Sequence, residues 1–224
     1  MTPPPPIRAV IFDMDGLLLD SERVYMRAFE ATCAALGVSV SRADYRRLVG
    51  RSGPDGRAAL EEVLDGAATL ADFDAVWDGQ IAGVFDRPVP LRPGAFELTT
   101  HLLAAGTPVA VATSTSRAGA IRRLTLAGLP ALAEGPLVGG DEIARRKPAP
   151  DIYLAAARLL GIGPDLCAAF EDSTTGVRAA LAAGCVTTQV PDLQPVTAET
   201  RALGHAIVPD LLTGARALGI YPDP

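Results

Sequence analysis

Asp13 and Asp15 end an apolar run, Ile7 to Phe12, and Gly16 follows, so two carboxylates sit on a turn at the mouth of a buried strand. Like charges a few ångströms apart resist joint ionisation unless they share a cation, and a hard divalent ion with oxygen ligands suits such a pair. Glu171 and Asp172 follow another apolar run, Ala168 to Phe170, and meet the same problem. Thr113, Ser114, Thr115 and Ser116 follow Val109 to Ala112; small hydroxyls and backbone N–H groups before a helix suit a phosphate. Lys147 is the only lysine, against 19 arginines. A compact ammonium is not interchangeable with a planar guanidinium at a crowded phosphate, and Pro148 and Pro150 present it from a stiff turn. Each segment also has a plainer reading. Asp-x-Asp-Gly makes ordinary turns, Ser, Thr and Asp are common helix caps, and arginine-biased coding alone leaves a solitary lysine.

The elements that must position these groups alternate along the chain. Ile7 to Asp13, Pro108 to Thr113, Cys167 to Glu171 and Cys185 to Val190 read as strands, and Phe96 to Ala105, Ala118 to Ala127, Ile152 to Leu160 and Thr174 to Ala183 as helices. Gly106, Gly128, Gly161 and Gly184 stand where helices stop. The alternation predicts an α/β fold, a Rossmann-like parallel sheet flanked by helices. A parallel sheet gathers its carboxyl strand ends at one edge, where ligands bind, so the four polar segments should surround one crevice.

Leu19 to Pro90 breaks the rhythm. It has no strand signal, but Tyr25, Phe29, Cys33 and Leu36, then Leu60, Val63 and Leu64, then Phe73, Val76 and Trp77, form apolar stripes of amphipathic helices. We expect a helical cap over 19–90 inserted into a catalytic core of 1–18 and 91–224, with hinges at Leu17 to Asp20 and Arg87 to Pro93.

The 224 residues are 49% hydrophobic, ample for a packed interior. A net charge of −6 argues against nucleic acid or an anionic membrane as the main partner. No stretch reads as a signal peptide or a membrane span. Cys33, Cys167 and Cys185 are too few and too scattered for a disulfide framework or a zinc site, so they read as reduced packing residues in a cytoplasmic protein.

Taken together, these motifs resemble the haloacid dehalogenase superfamily of phosphohydrolases: Asp13 to Gly16, Thr113, Lys147, and Glu171 with Asp172, in that order over nearly the whole length. FDMDGLLLDSE, Phe12 to Glu22, and KPAPDIY, Lys147 to Tyr153, are similar to the subgroup with a helical cap after the first motif, which holds β-phosphoglucomutases and phosphatases of phosphoglycolate, sugar phosphates and pseudouridine monophosphate. The resemblance implies phosphoryl transfer through a covalent aspartyl phosphate. Asp13 would be the nucleophile, and Asp15 the general acid and then the general base. Mg²⁺ would be held by Asp13, the Asp15 backbone carbonyl, Asp172 and Glu171, the last directly or through water. Lys147, the Thr113 hydroxyl and the Ser114 N–H would neutralise the phosphoryl oxygens, and Arg51 and Arg117 are candidates for touching substrate.

In the same alignment Tyr25 stands where the mutase carries a cap histidine, and Val49 where it carries a cap lysine. Hydrolysis of a small phosphate ester is therefore expected over isomerisation. A receiver-type phosphoacceptor is the other rival; it has no room for some 70 inserted residues and no use for Asp15. A monomer or weak homodimer is expected.

Overall fold

The computed structural model describes residues 6–49 and 53–223. Six strands, β1 (Ala9–Phe12), β2 (Val109–Ala112), β3 (Leu137–Val138), β4 (Cys167–Glu171), β5 (Val186–Gln189) and β6 (Ala206–Ile207), form one sheet in the order β3-β2-β1-β4-β5-β6. Every pairing is parallel. This is the α/β architecture expected from the alternation. The order reverses at β1, between β2 and β4, and in open sheets such a switch point opens a crevice at the carboxyl strand ends.

Contacts divide the chain into two compact units, residues up to Asp20 with those from Pro90 onward, and Ser21–Val89. The second unit holds α1 (Ser21–Ala35), α2 (Arg42–Leu48), α3 (Gly53–Leu64) and α4 (Leu70–Ile81). Its interior is an aromatic chain in which Phe29 meets Tyr45 and Phe73, and Phe73 stacks on Trp77. Ser41 with Asp44, and Thr69 with Asp72, close reciprocal capping boxes that start α2 and α4.

The first unit carries the sheet and α5 (Ala95–Ala104), α6 (Arg117–Leu126), α7 (Pro130–Glu134), α8 (Asp151–Leu160), α9 (Thr174–Ala183), α10 (Ala198–Arg201) and α11 (Leu211–Ala217). β1 reads AVIF and is buried throughout, as a strand covered on both faces must be. On one face Ile11, Ala110, Ala112 and Ala169 pack with Ile152, Tyr153, Ala156 and Ala157 of α8. The alanines leave little between backbone and backbone, so α8 lies close to the sheet. Phe12 stacks on Phe170 of the neighbouring strand, ring centroids 5.4 Å apart; truncating either to alanine would cost about 3–5 kcal/mol.

The strands are shorter than the apolar runs suggested, because residues such as Asp13 and Thr113 already belong to the turns. The segments leading out of and back into the core pair with each other: Leu19 bridges Leu91 antiparallel, Asp20 N–H donates to the Pro90 carbonyl and Arg92 N–H to that of Leu18. Among the described residues no helix is long and apolar enough to cross a membrane.

Candidate active site

β1 delivers Asp13 to the switch point, where its backbone N–H donates to the Phe170 carbonyl of β4 at 3.0 Å. The following turn is closed by Leu18 and Leu19 N–H on the Met14 carbonyl and by Gly16 N–H on that of Leu19. Gly16 is needed twice over. Its φ is +84°, and a Cβ there would lie 2.3 Å from Asp172 Oδ2, so only a glycine lets the Asp172 carboxylate come down on this turn.

Lys147 follows Arg146 in the loop before α8, with a cis peptide to Pro148. Its Nζ donates to Asp13 Oδ1 at 2.6 Å, Glu171 Oε1 at 2.6 Å and the Ala112 carbonyl at 3.2 Å. That uses all three ammonium protons. Burial alone would push the Lys147 ammonium down, but Asp13 and Glu171 outweigh it and hold it above its usual range. Asp13, only 6% exposed, is pushed up to about 8 by burial, against the pull of Lys147 and with help from Glu171 and Asp15. One ammonium facing several carboxylates leaves surplus negative charge, and that surplus together with burial disfavours the ionised form of Asp13.

Glu171 is fully buried. Its Oε1 accepts from Lys147 and from the Tyr153 hydroxyl at 2.7 Å, and its Oε2 from Ser173 N–H at 3.2 Å and Ser173 Oγ at 3.0 Å. Four donors fill a carboxylate's usual acceptor directions. Tyr153 also lies under the ammonium, 5.2 Å from ring centroid to Nζ, and its hydroxyl is raised well above its normal value by burial and by Glu171 and Asp13.

Carboxylate oxygens of Asp13, Glu171 and Asp172 lie within 4.8 Å of one another. An all-oxygen, net negative cluster fits a hard divalent cation. Since the Glu171 oxygens already carry four donors, Asp13 and Asp172 are the side chains that suit it. Glu171 fits better as the anchor of Lys147.

The competing cap readings resolve in favour of other residues. Ser116 caps α6 by accepting from Gly119 N–H, and Ser173 caps α9 by accepting from Gly176 N–H, which leaves Thr113, Ser114 and Asp172 for other work. Thr113 is buried, its Oγ1 accepting from Thr115 N–H at 3.1 Å, while Ser114 is exposed at the turn's tip. Behind them Gly140 N–H donates to the Thr115 carbonyl at 2.8 Å, and a Cβ on Gly140 would come within 2.3 Å of the Ser114 oxygen.

The structure thus gathers Asp13, Lys147, Glu171 and Asp172. Asp15 instead turns its carboxylate to Thr115 and Arg123. Arg117 is not brought to this cluster: its guanidinium donates to the Leu137 carbonyl and reaches Glu142 Oε2 at 3.4 Å, because those acceptors lie beside the start of α6. Arg51 lies outside the described residues. Sequence reading misses Tyr153 and Arg123 as parts of the site, and Ser173, which the sequence offers as a cap for α9 and which does cap it, also holds Glu171.

A family model described as haloacid dehalogenase-like hydrolase matches residues 7–184. The chain is 37% identical to the protein CbbY of Rhodobacter capsulatus, over 80% of this chain and 82% of that one. It is 33% identical to a phosphorylated carbohydrates phosphatase of Thermotoga maritima, again over 80% and 82%. A crystal structure of a HAD family hydrolase from Deinococcus radiodurans, with bound phosphate and sodium, superposes with a TM-score of 0.84 at 28% identity, covering 98% of this chain and 99% of that one. With the matching model spanning most of its length and the motif residues meeting at one strand edge, this chain belongs to the haloacid dehalogenase-like hydrolase family.

Proposed function

We propose that this protein is a Mg²⁺-dependent phosphatase of small phosphorylated metabolites, sugar phosphates foremost, working through a phosphorylated Asp13. The observation that carries the reading is the buried Asp13–Lys147–Glu171 chain with Asp172 beside it. The name of the Thermotoga relative supports a phosphorylated carbohydrate as substrate.

An Asp13 carboxylate oxygen attacks phosphorus, forming the acyl phosphate as the bond to the substrate's alkoxide breaks. Asp15, as the acid, gives that alkoxide its proton. Asp15, as the base, then takes a proton from water, whose oxygen attacks phosphorus and releases inorganic phosphate and the Asp13 carboxylate. Lys147, the Thr113 hydroxyl and the Ser114 N–H stabilise the charge on the transferring oxygens, where most phosphoryl-transfer catalysis lies. Asp13, Asp172 and the Asp15 backbone carbonyl would hold Mg²⁺, which supplies positive charge to the phosphoryl group and to Asp13. Glu171 keeps Lys147 aimed. The helical unit Ser21–Val89 is assigned the choice of leaving group and the exclusion of water.

The test is a panel of phosphate monoesters assayed for released phosphate with Mg²⁺, with chelator, and with Mg²⁺ restored. Multiple turnovers on sugar phosphates that stop with chelator and return with Mg²⁺ are expected. Turnover indifferent to divalent cations, or a single stoichiometric phosphorylation without release, would overturn the assignment.

A further inference from the structure

Asp15 is gripped by a side chain to which phosphoryl transfer gives no task. Its Oδ2 accepts the Thr115 hydroxyl at 2.7 Å, and its Oδ1 accepts Nη1–H of Arg123 at 2.9 Å. The same Nη1 lies 3.4 Å from Thr115 Oγ1, so the three side chains close a triangle. Thr115 precedes the cap of α6 and Arg123 lies in its last turn. Helical side chains lean towards their own amino terminus, so the long arm of Arg123 runs back along α6 to the strand ends. The Arg123 and Asp15 side chains are 13% and 22% exposed, which places the pair between surface and core. Bulk salt therefore screens it less than a fully exposed pair.

The torsion that turns a carboxylate about its own axis is broad. Donors from two residues, one on each oxygen, select a single setting of it. An acid or base must stand within hydrogen-bond reach of the proton it moves, and small misplacements of catalytic groups are expensive in rate.

We propose that Arg123 is a positioning residue for proton transfer: together with Thr115 it fixes the Asp15 carboxylate for delivery of a proton to the leaving alkoxide and removal of one from water. The inference rests on the reading of Asp15 as acid and base. It adds to that reading a residue 108 positions away in the chain, whose removal should cost proton transfer by Asp15. A guanidinium that merely ties α6 to the Asp13–Gly16 turn would instead affect stability and all substrates alike.

The experiment measures kcat, KM and thermal midpoint with Mg²⁺ for the wild type, Arg123→Met, Arg123→Lys, Asp15→Asn and the Asp15→Asn, Arg123→Met double variant. One substrate is a sugar phosphate that turned over in the panel and the other is p-nitrophenyl phosphate. Since kcat/KM reports the first transfer, Arg123→Met should lower it for the sugar phosphate on the order of 10- to 100-fold. The loss should be smaller for p-nitrophenyl phosphate, whose leaving group departs without a proton. Arg123→Lys should recover part of the loss, and Arg123→Met should cost nothing further once Asp15 is Asn.

Wild-type kinetics in Arg123→Met beside an inactive Asp15→Asn overturns the positioning role and leaves the acid–base reading standing. An active Asp15→Asn removes both. Equal losses on the two substrates, a continued cost in the double variant, or a gain in turnover also overturns the proposal. Should Arg123→Met fail to fold, Thr115→Val removes the donor to the other oxygen; it must show the same bias between substrates, and equal losses there overturn the proposal.

Discussion

Asp13 and Asp15 leave one strand two residues apart and end in different surroundings. The Asp13 corner is closed: Lys147 spends every proton on Asp13, Ala112 and Glu171, and Glu171 in turn has four donors. The Asp15 corner is partly open to water and held from α6. Under the proposed mechanism the difference matches two chemical tasks. A nucleophile that must meet phosphorus in line benefits from a fixed, desolvated setting, whereas a group that passes protons to alkoxide and from water has to stand where both can reach it.

Removing the proposed nucleophile breaks the comparison most sharply. Asp13→Asn should lower turnover by about 10³-fold or more and leave thermal stability near that of the wild type, since Lys147 keeps Glu171 and a neutral amide carries no cost of ionising a buried carboxyl. Phosphate release with Mg²⁺ and a melting curve check both halves. Turnover above a few per cent in this variant would mean that Asp13 is not the attacking group.

Lys147→Arg tests whether the closed corner needs a point charge or only a positive one. A guanidinium is larger and planar, and it cannot place three donors on Asp13, Glu171 and the Ala112 carbonyl from a site only 6% exposed. A loss on the order of 10²-fold in kcat is expected. Full activity would make the solitary lysine an accident of composition.

Gly176→Ala probes the packing behind that corner. Alanine in place of glycine inside a helix normally gains up to about 1 kcal/mol. Here the sign reverses, because the added Cβ would lie 1.8 Å from Glu171 Oε1, and the carboxylate that holds Lys147 must move. A net loss of about 1–3 kcal/mol in urea unfolding is expected, with reduced kcat. A stabilised variant would show that Glu171 has room to spare.

The sequence made the two corners unequally legible. Runs such as Ala9 to Phe12 and Val109 to Ala112 announce buried parallel strands, and the polar residues that end them mark the crevice edge, so Asp13, Glu171 and Asp172 follow from strand ends, and Lys147 from being the only lysine, on a proline-stiffened turn. β3 and β6, two residues each, are too short for any periodicity to show. Tyr153 stood in a quoted motif, but only the fold turns its hydroxyl to Glu171. Arg123 carried one faint signal: a charge beside Ala120 and Leu124, on the face of α6 that is buried, whereas its neighbour Arg122 is exposed. Arg117 looked better placed because it sits on the polar turn, yet helix geometry sends it towards Leu137 and Glu142. Local pattern tells where a backbone ends; it does not tell where a long side chain goes.

The smallest expected effect concerns the support of Asp172, the acid that completes the Asp13 corner. Gln189 Nε2 donates to the Asp172 carbonyl at 3.0 Å, so its Oε1 must accept, and His205 Nε2, 2.9 Å away, carries the proton. His205 Nδ1 is buried with no partner among the described residues, and burial lowers the imidazole below its ordinary value of 6.5. A depressed histidine binds fewer protons folded than unfolded. Its contribution to stability is therefore present above pH 6.5 and is lost as pH falls through the lower folded value. A Gln side chain can keep the donor to Gln189 without titrating, so His205→Gln should lose less thermal stability than the wild type over that fall in pH. Parallel losses in the two proteins would show that the imidazole plays no part in the acid sensitivity of the fold.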